Sequence, residues 1–105
     1  MSVLNDWPTY LLKQIPPEVR KGIEAEAGAG SMIEVVRSIL CDHFGLDCEP
    51  VLMRNRFLTI NGTETMVLRL QPELFKEIRK EAWRRKVPTR TVIIEALEAH
   101  YTPVT

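Results

Sequence analysis

The chain repeats itself, and the repeat constrains the fold more than any other feature. "QIPPEVRKGIEAEA" begins at Gln14 and "RLQPELFKEIRKEA" begins at Arg69. Each opens with a Pro-Glu pair, Pro17-Glu18 and Pro72-Glu73. Each then sets apolar residues four apart on one helical face: Val19, Ile23 and Ala27, then Leu74, Ile78 and Ala82. A second helical pattern follows in both copies. Val35, Val36, Leu40, His43 and Phe44 answer to Val92, Ile93, Leu97, His100 and Tyr101. The offset is 55 in the first helix and 57 in the second, so the loop between the helices is two residues longer in the second copy. A unit of roughly 45 residues buries too little apolar surface to stand alone. Two such units in one chain are expected to pack on each other with pseudo-twofold symmetry.

Local signals set the element boundaries. Thr9–Ile15 and Thr65–Gln71 read as strands, each stopped by proline. Proline in the first helical turn suits Pro17 and Pro72. The first helix runs to about Ala27 and carries a mid-helix Gly22, and Gly28-Ala29-Gly30 is a turn. Ser31 and Glu34 form a capping-box pattern for the second helix, which ends near Phe44 at Gly45. Pro72 opens a helix to about Lys86, Pro88 breaks the chain, and Thr89 caps a helix through Tyr101. Between the copies, "VLMRNRFLTI" followed by Asn61-Gly62 predicts a hairpin that folds residues 52–60 back on the second strand. The expected organisation is one domain over residues 1–105: a repeat at 8–45, a connector at 46–64 and a repeat at 65–102.

Charge is unevenly distributed. Residues 1–52 hold four Lys/Arg against eight Asp/Glu, a net of −4; residues 53–105 hold ten against six, a net of +4. The second half suits a polyanion and the first does not. No apolar run approaches the ~20 residues of a membrane span, and the N-terminus lacks the pattern of a secretory signal; a cytoplasmic protein is expected. Cys41 and Cys48 read as a helix thiol and a loop thiol. Met32, Met53 and Met66 read as packing residues, and His43 and His100 as packed or half-exposed helix residues. Trp83, aligned with Gly28, reads as a cover for a core edge or an anchor for a partner. No nucleophile elbow, phosphate loop or acid/base pair stands out, so neither an enzyme nor a cofactor is expected.

Strand, proline-led helix, turn and capped second helix resemble the ribbon-helix-helix family of DNA-binding proteins. The better copy is "VLRLQPELFKEIRKEAWRRKVPTRTVIIEALEAHY" (67–101) and the weaker is "LLKQIPPEVRKGIEAEAGAGSMIEVVRSILCDHF" (11–44). The resemblance implies a mostly helical α+β fold. Two units would form an intramolecular pseudo-dimer, an antiparallel two-stranded ribbon over four helices, with a further strand added by the connector. It implies sequence-specific binding of double-stranded DNA, the ribbon lying in the major groove, in the role of a transcriptional repressor or regulator. A second copy of the chain on DNA would compensate for the zero net charge. The alternative on the same fold is an antitoxin-like or inhibitory module that binds a protein.

Period-2 alternation assigns the faces. Met66, Leu68 and Leu70 face the helices; Thr65, Val67 and Arg69 face out. Carrying this register from Pro72 to Pro17 puts Leu11 and Ile15 inside, Tyr10, Leu12 and Gln14 outside, and Lys13 at an inward position that does not suit it. The base-contacting set is then Tyr10, Leu12, Gln14, Thr65, Val67 and Arg69. Phosphate contacts fall to Ser31 and Met32, to Thr89 and Arg90, and to the run Arg84, Arg85, Lys86. Arg54 and Arg56 would extend the basic surface.

Overall fold

Each repeat forms a strand and two helices, and the two strands pair. The structure, a computed structural model, describes residues 7–47 and 57–101. In chain order these form β1 (Thr9–Lys13), α1 (Pro17–Ala27), α2 (Met32–Phe44), β2 (Phe57–Ile60), β3 (Thr63–Arg69), α3 (Pro72–Arg85) and α4 (Thr89–Tyr101). The result is a mostly helical α+β fold of four helices and a three-stranded antiparallel sheet in the order β1-β3-β2.

The helix ends follow from their residues. Pro17 and Pro72 occupy the first turns of α1 and α3, where a missing N–H costs nothing. Ser31 Oγ accepts from the Glu34 N–H at 3.3 Å. The return half of the capping box does not form, because Glu34 Oε2 accepts from Arg37 instead, at 2.7 Å. Gly45 ends α2 in the left-handed conformation (φ 71°), which glycine adopts without steric penalty. Thr89 is the first residue of α4 rather than its cap; the Thr91 N–H bonds the Pro88 carbonyl. Asn61 and Gly62 both have positive φ (52° and 78°), the requirement of the type I′ hairpin. The connector therefore supplies the third strand at Phe57–Ile60, and Cys48, Met53, Arg54 and Arg56 lie outside the described residues.

The core lies between the sheet and the helices. Leu12, Met66, Leu68 and Leu70 are buried from the sheet, and Val19, Ile23, Leu40, Leu74, Ile78, Ile93 and Leu97 from the helices. Met32 and Cys41 are buried in the same cluster. Gly22 is there for space: a Cβ would sit 2.4 Å from the Tyr101 ring. Arg37 is wholly buried in α2. It donates to Glu34 and, at 3.2 Å, to Gln71 Oε1, and stacks over Trp7. Gln71 in turn donates to the Asp47 carbonyl at 2.9 Å. This cluster ties the chain before β1, the end of α2 and the start of α3 together.

One expectation fails at β1. Leu12 is fully buried and Leu11 is 39% exposed, so the alternation is the reverse of that carried over from the prolines. The first copy has one more residue between strand and proline than the second. Gln14 absorbs it in the left-handed region (φ 52°), outside β1, and a one-residue slip exchanges the faces of a strand. Lys13 thereby points outward and its apparent misfit disappears.

Candidate nucleic-acid interface

The register defines the outer face of the sheet. Thr9 pairs with Arg69, Leu11 with Val67 and Lys13 with Thr65, and residues directly opposite share a face. Read in sequence, β1 is Thr-Tyr-Leu-Leu-Lys and the matching part of β3 is Thr-Met-Val-Leu-Arg. The Leu11–Val67 pair lies at the centre. Around it the outer face reads threonine, apolar, cation in either direction: Thr9, Leu11, Lys13 and Thr65, Val67, Arg69.

Of the six residues expected to meet bases, three share this face. Arg69 is half-buried; Thr65 and Val67 are buried, at 0% and 6% exposure. Both sit in the central strand, with Thr65 flanked by Lys13 on one side and Leu58 on the other. The Thr65 hydroxyl donates to the Thr63 carbonyl at 3.4 Å. Tyr10 faces the helices instead. Its ring lies 6.3 Å from that of Phe75, and burial raises its pKa, partly offset by Arg90. Leu12 is core. Gln14 is exposed beyond the end of β1. Thr9, Leu11 and Lys13 are the outer residues that carrying the register from proline overlooks. The strands themselves hold the missing signal: TYLLK matches TMVLR at an offset of 56, not 55.

The two second-helix N-termini differ. The first turn of α2 carries Glu34, and its Ser31 hydroxyl is already engaged; Met32 turns its side chain into the core. A carboxylate at that position opposes a bound anion. The first turn of α4 has no acidic residue. It carries Arg90, whose Nε donates to the Lys13 carbonyl at 2.7 Å and whose Nη2 donates to the Gln14 carbonyl. Arg90 therefore fixes the end of β1, including the strained Gln14, against the start of α4.

The basic run at the end of α3 is partly neutralised. Arg84 bonds Glu81 at 2.6 Å and Arg85 bonds Glu95 at 2.7 Å; Arg84 in turn holds the Glu81 carboxyl below the ordinary range. Lys86 caps α3 in the left-handed conformation and is exposed. Immediately before this run, on α3 itself, stands Trp83, 85% exposed beside a groove of about 1080 Å³ whose walls include Pro8, Phe44, Phe75 and Val87. Among the described residues no helix is long and apolar enough to cross a membrane. No family model matches this chain, and neither a curated protein nor a solved structure matches it.

Proposed function

We propose that the chain is a tandem ribbon-helix-helix protein, an intramolecular pseudo-dimer that binds double-stranded DNA sequence-specifically and regulates transcription. One observation carries the reading. Two strand–helix–helix units present β1 and β3 as an antiparallel pair whose outer face repeats threonine, apolar and cation about the Leu11–Val67 centre. The near-equivalence of the two triads suits an imperfect inverted repeat.

The third strand sets the orientation in this reading. The major groove is about 12 Å wide. Three strands span roughly 10 Å between outer backbones before any side chain is counted. β2 flanks only Thr63–Met66, so the end of the pair bearing Thr9 and Arg69 is two-stranded and enters the groove. Arg69 then reads a guanine edge, Lys13 meets phosphate nearer the rim, and the N-terminus of α4 receives a backbone phosphate.

Selection of bound duplexes from a random pool, followed by titration of the winner, tests this. Arg69→Ala should weaken the selected site about 10- to 100-fold and relax one position of the preference. Lys13→Ala should weaken all sequences alike and lower the salt slope by about one. Absence of any duplex binding at ~50 mM salt overturns the proposal.

A second reading, a protein-binding module on the same fold, is favoured by Trp83. An indole exposed to 85% beside an apolar groove has the character of an interface anchor. Under that reading the pool yields no preferred duplex.

A further inference from the structure

The two edges of the β1–β3 pair are treated differently, and the covered one shows what fits the other. In an antiparallel ladder the backbone groups of alternate residues point to opposite sides. The Leu70 N–H bonds the Pro8 carbonyl at 3.2 Å. Pro8 therefore directs its ladder groups toward β3, as do Tyr10 and Leu12. Thr9, Leu11 and Lys13 direct theirs to the free edge. Arg90 already occupies the outward Lys13 carbonyl. The N–H and C=O of Thr9 and Leu11 remain, along an edge with no strand partner among the described residues. Pro8 does not blunt this edge, because the N–H it lacks would have faced β3.

On β3 the matching positions are filled. Thr65, the counterpart of Thr9, lies opposite Leu58, and Met66, the counterpart of Tyr10, lies opposite Phe57. Phe57 points to the helix side and stacks with Arg20 at 5.1 Å. The residue aligned with Arg20 in the second repeat is Phe75, which packs near Tyr10. Beside Phe75 the groove opens between Pro8, Pro72, Lys76 and Arg79. Its cations there are Lys76 and Arg79, and the Glu77 carboxylate between them pairs with Lys80 at 3.7 Å. Arg79 lies over the Phe75 ring at 5.8 Å, and neither it nor Lys76 appears among the ion pairs of the described residues.

We infer that the free edge of β1 is a strand-addition site for an extended segment of a partner protein, with an aromatic residue opposite Tyr10 and acidic flanks. The backbone of that segment bonds Thr9 and Leu11. Its aromatic ring rests on Phe75 as Phe57 rests on Arg20, and its carboxylates meet Lys76 and Arg79. Main-chain bonds supply affinity, and the groove and its charge supply the choice of sequence. An added strand there makes the Thr9–Arg69 end three-stranded, so by the width argument above the segment and a DNA groove exclude each other at this end.

The test uses a fluorescein-labelled peptide, the β2 sequence Phe-Leu-Thr-Ile flanked by glutamates, titrated against the full chain by anisotropy. Amide shifts are recorded alongside. Binding tighter than about 1 mM with slowed hydrogen exchange at the Thr9 and Leu11 amides is expected. N-methylation of a peptide amide that faces the ladder should cost about tenfold, while methylation one residue along costs little. Lys76→Glu should weaken this peptide several-fold and favour a lysine-flanked one. No binding up to about 1 mM, equal loss from methylation at both positions, or shifts at Thr63 and Thr65 that report displacement of β2 would each overturn the inference.

Discussion

Arg90 Nε lies 2.7 Å from the carbonyl oxygen of Lys13, joining the first turn of the last helix to the end of the first strand. Its second bond, to the Gln14 carbonyl, holds a glutamine at φ 52°, a conformation that costs a side-chain-bearing residue about 1–2 kcal/mol. Gln14→Gly should stabilise the fold by up to about 1 kcal/mol, less than that cost because glycine loses more entropy on folding. Arg90→Ala should destabilise it by about 1–2 kcal/mol through loss of charge-assisted bonds. Urea denaturation checks both; a loss of stability in Gln14→Gly would contradict the account of how β1 gains its register.

Gly22 and Tyr101 occupy one space. A Cβ at Gly22 would fall 2.4 Å from the ring. Gly22→Ala is expected to destabilise by about 1 kcal/mol, overpacking outweighing the gain in helix propensity. In a Tyr101→Ala background the same substitution should become stabilising by up to about 1 kcal/mol. The sign reversal in a double-mutant cycle is the measurement.

Arg37 is an ion buried where the second repeat has Ile94 at the aligned position. Arg37→Ala removes the partner of Glu34, the bond to Gln71 and the stack on Trp7, and should cost about 3 kcal/mol. Arg37→Met fills the space without charge and should recover most of that, since Glu34 is 28% exposed and can turn to water. If methionine is as damaging as alanine in thermal or urea unfolding, the charge and not the volume holds the cluster.

Tyr101 has its hydroxyl buried, with no hydrogen-bond partner in reach among the described residues. Burial first, and the Glu26 carboxylate second, push its pKa up to about 12. The neutral form is the one the fold favours. Its contribution to stability is therefore complete below the ordinary tyrosine value near 10 and is lost as pH rises from there toward 12. Ultraviolet titration of Tyr101 in a Tyr10→Phe variant should show late ionisation. Glu26→Gln should move it earlier but leave it above the ordinary value, because burial is the larger cause.

The helices and the hairpin turn were legible because their causes are local. Proline in a first turn, glycine after a last turn and apolar residues four apart each act within one element, and Asn61-Gly62 bends the chain whatever surrounds it. Trp83 was legible as a choice between core cover and exposed anchor, and only the packing of α3 decided for exposure.

The register of β1 depended on more than its own residues. The sequence by itself determined that two similar units must share one core, and, to within a residue, where each helix begins and stops. Tertiary structure decided which face of β1 looks outward, because one extra residue before Pro17 was taken up by Gln14 in a conformation held from 76 residues away by Arg90. It also decided that β2 lies along β3 rather than along β1. A period of two tells which residues share a face but not which face is inside; that follows only when another part of the chain fixes the end of the strand.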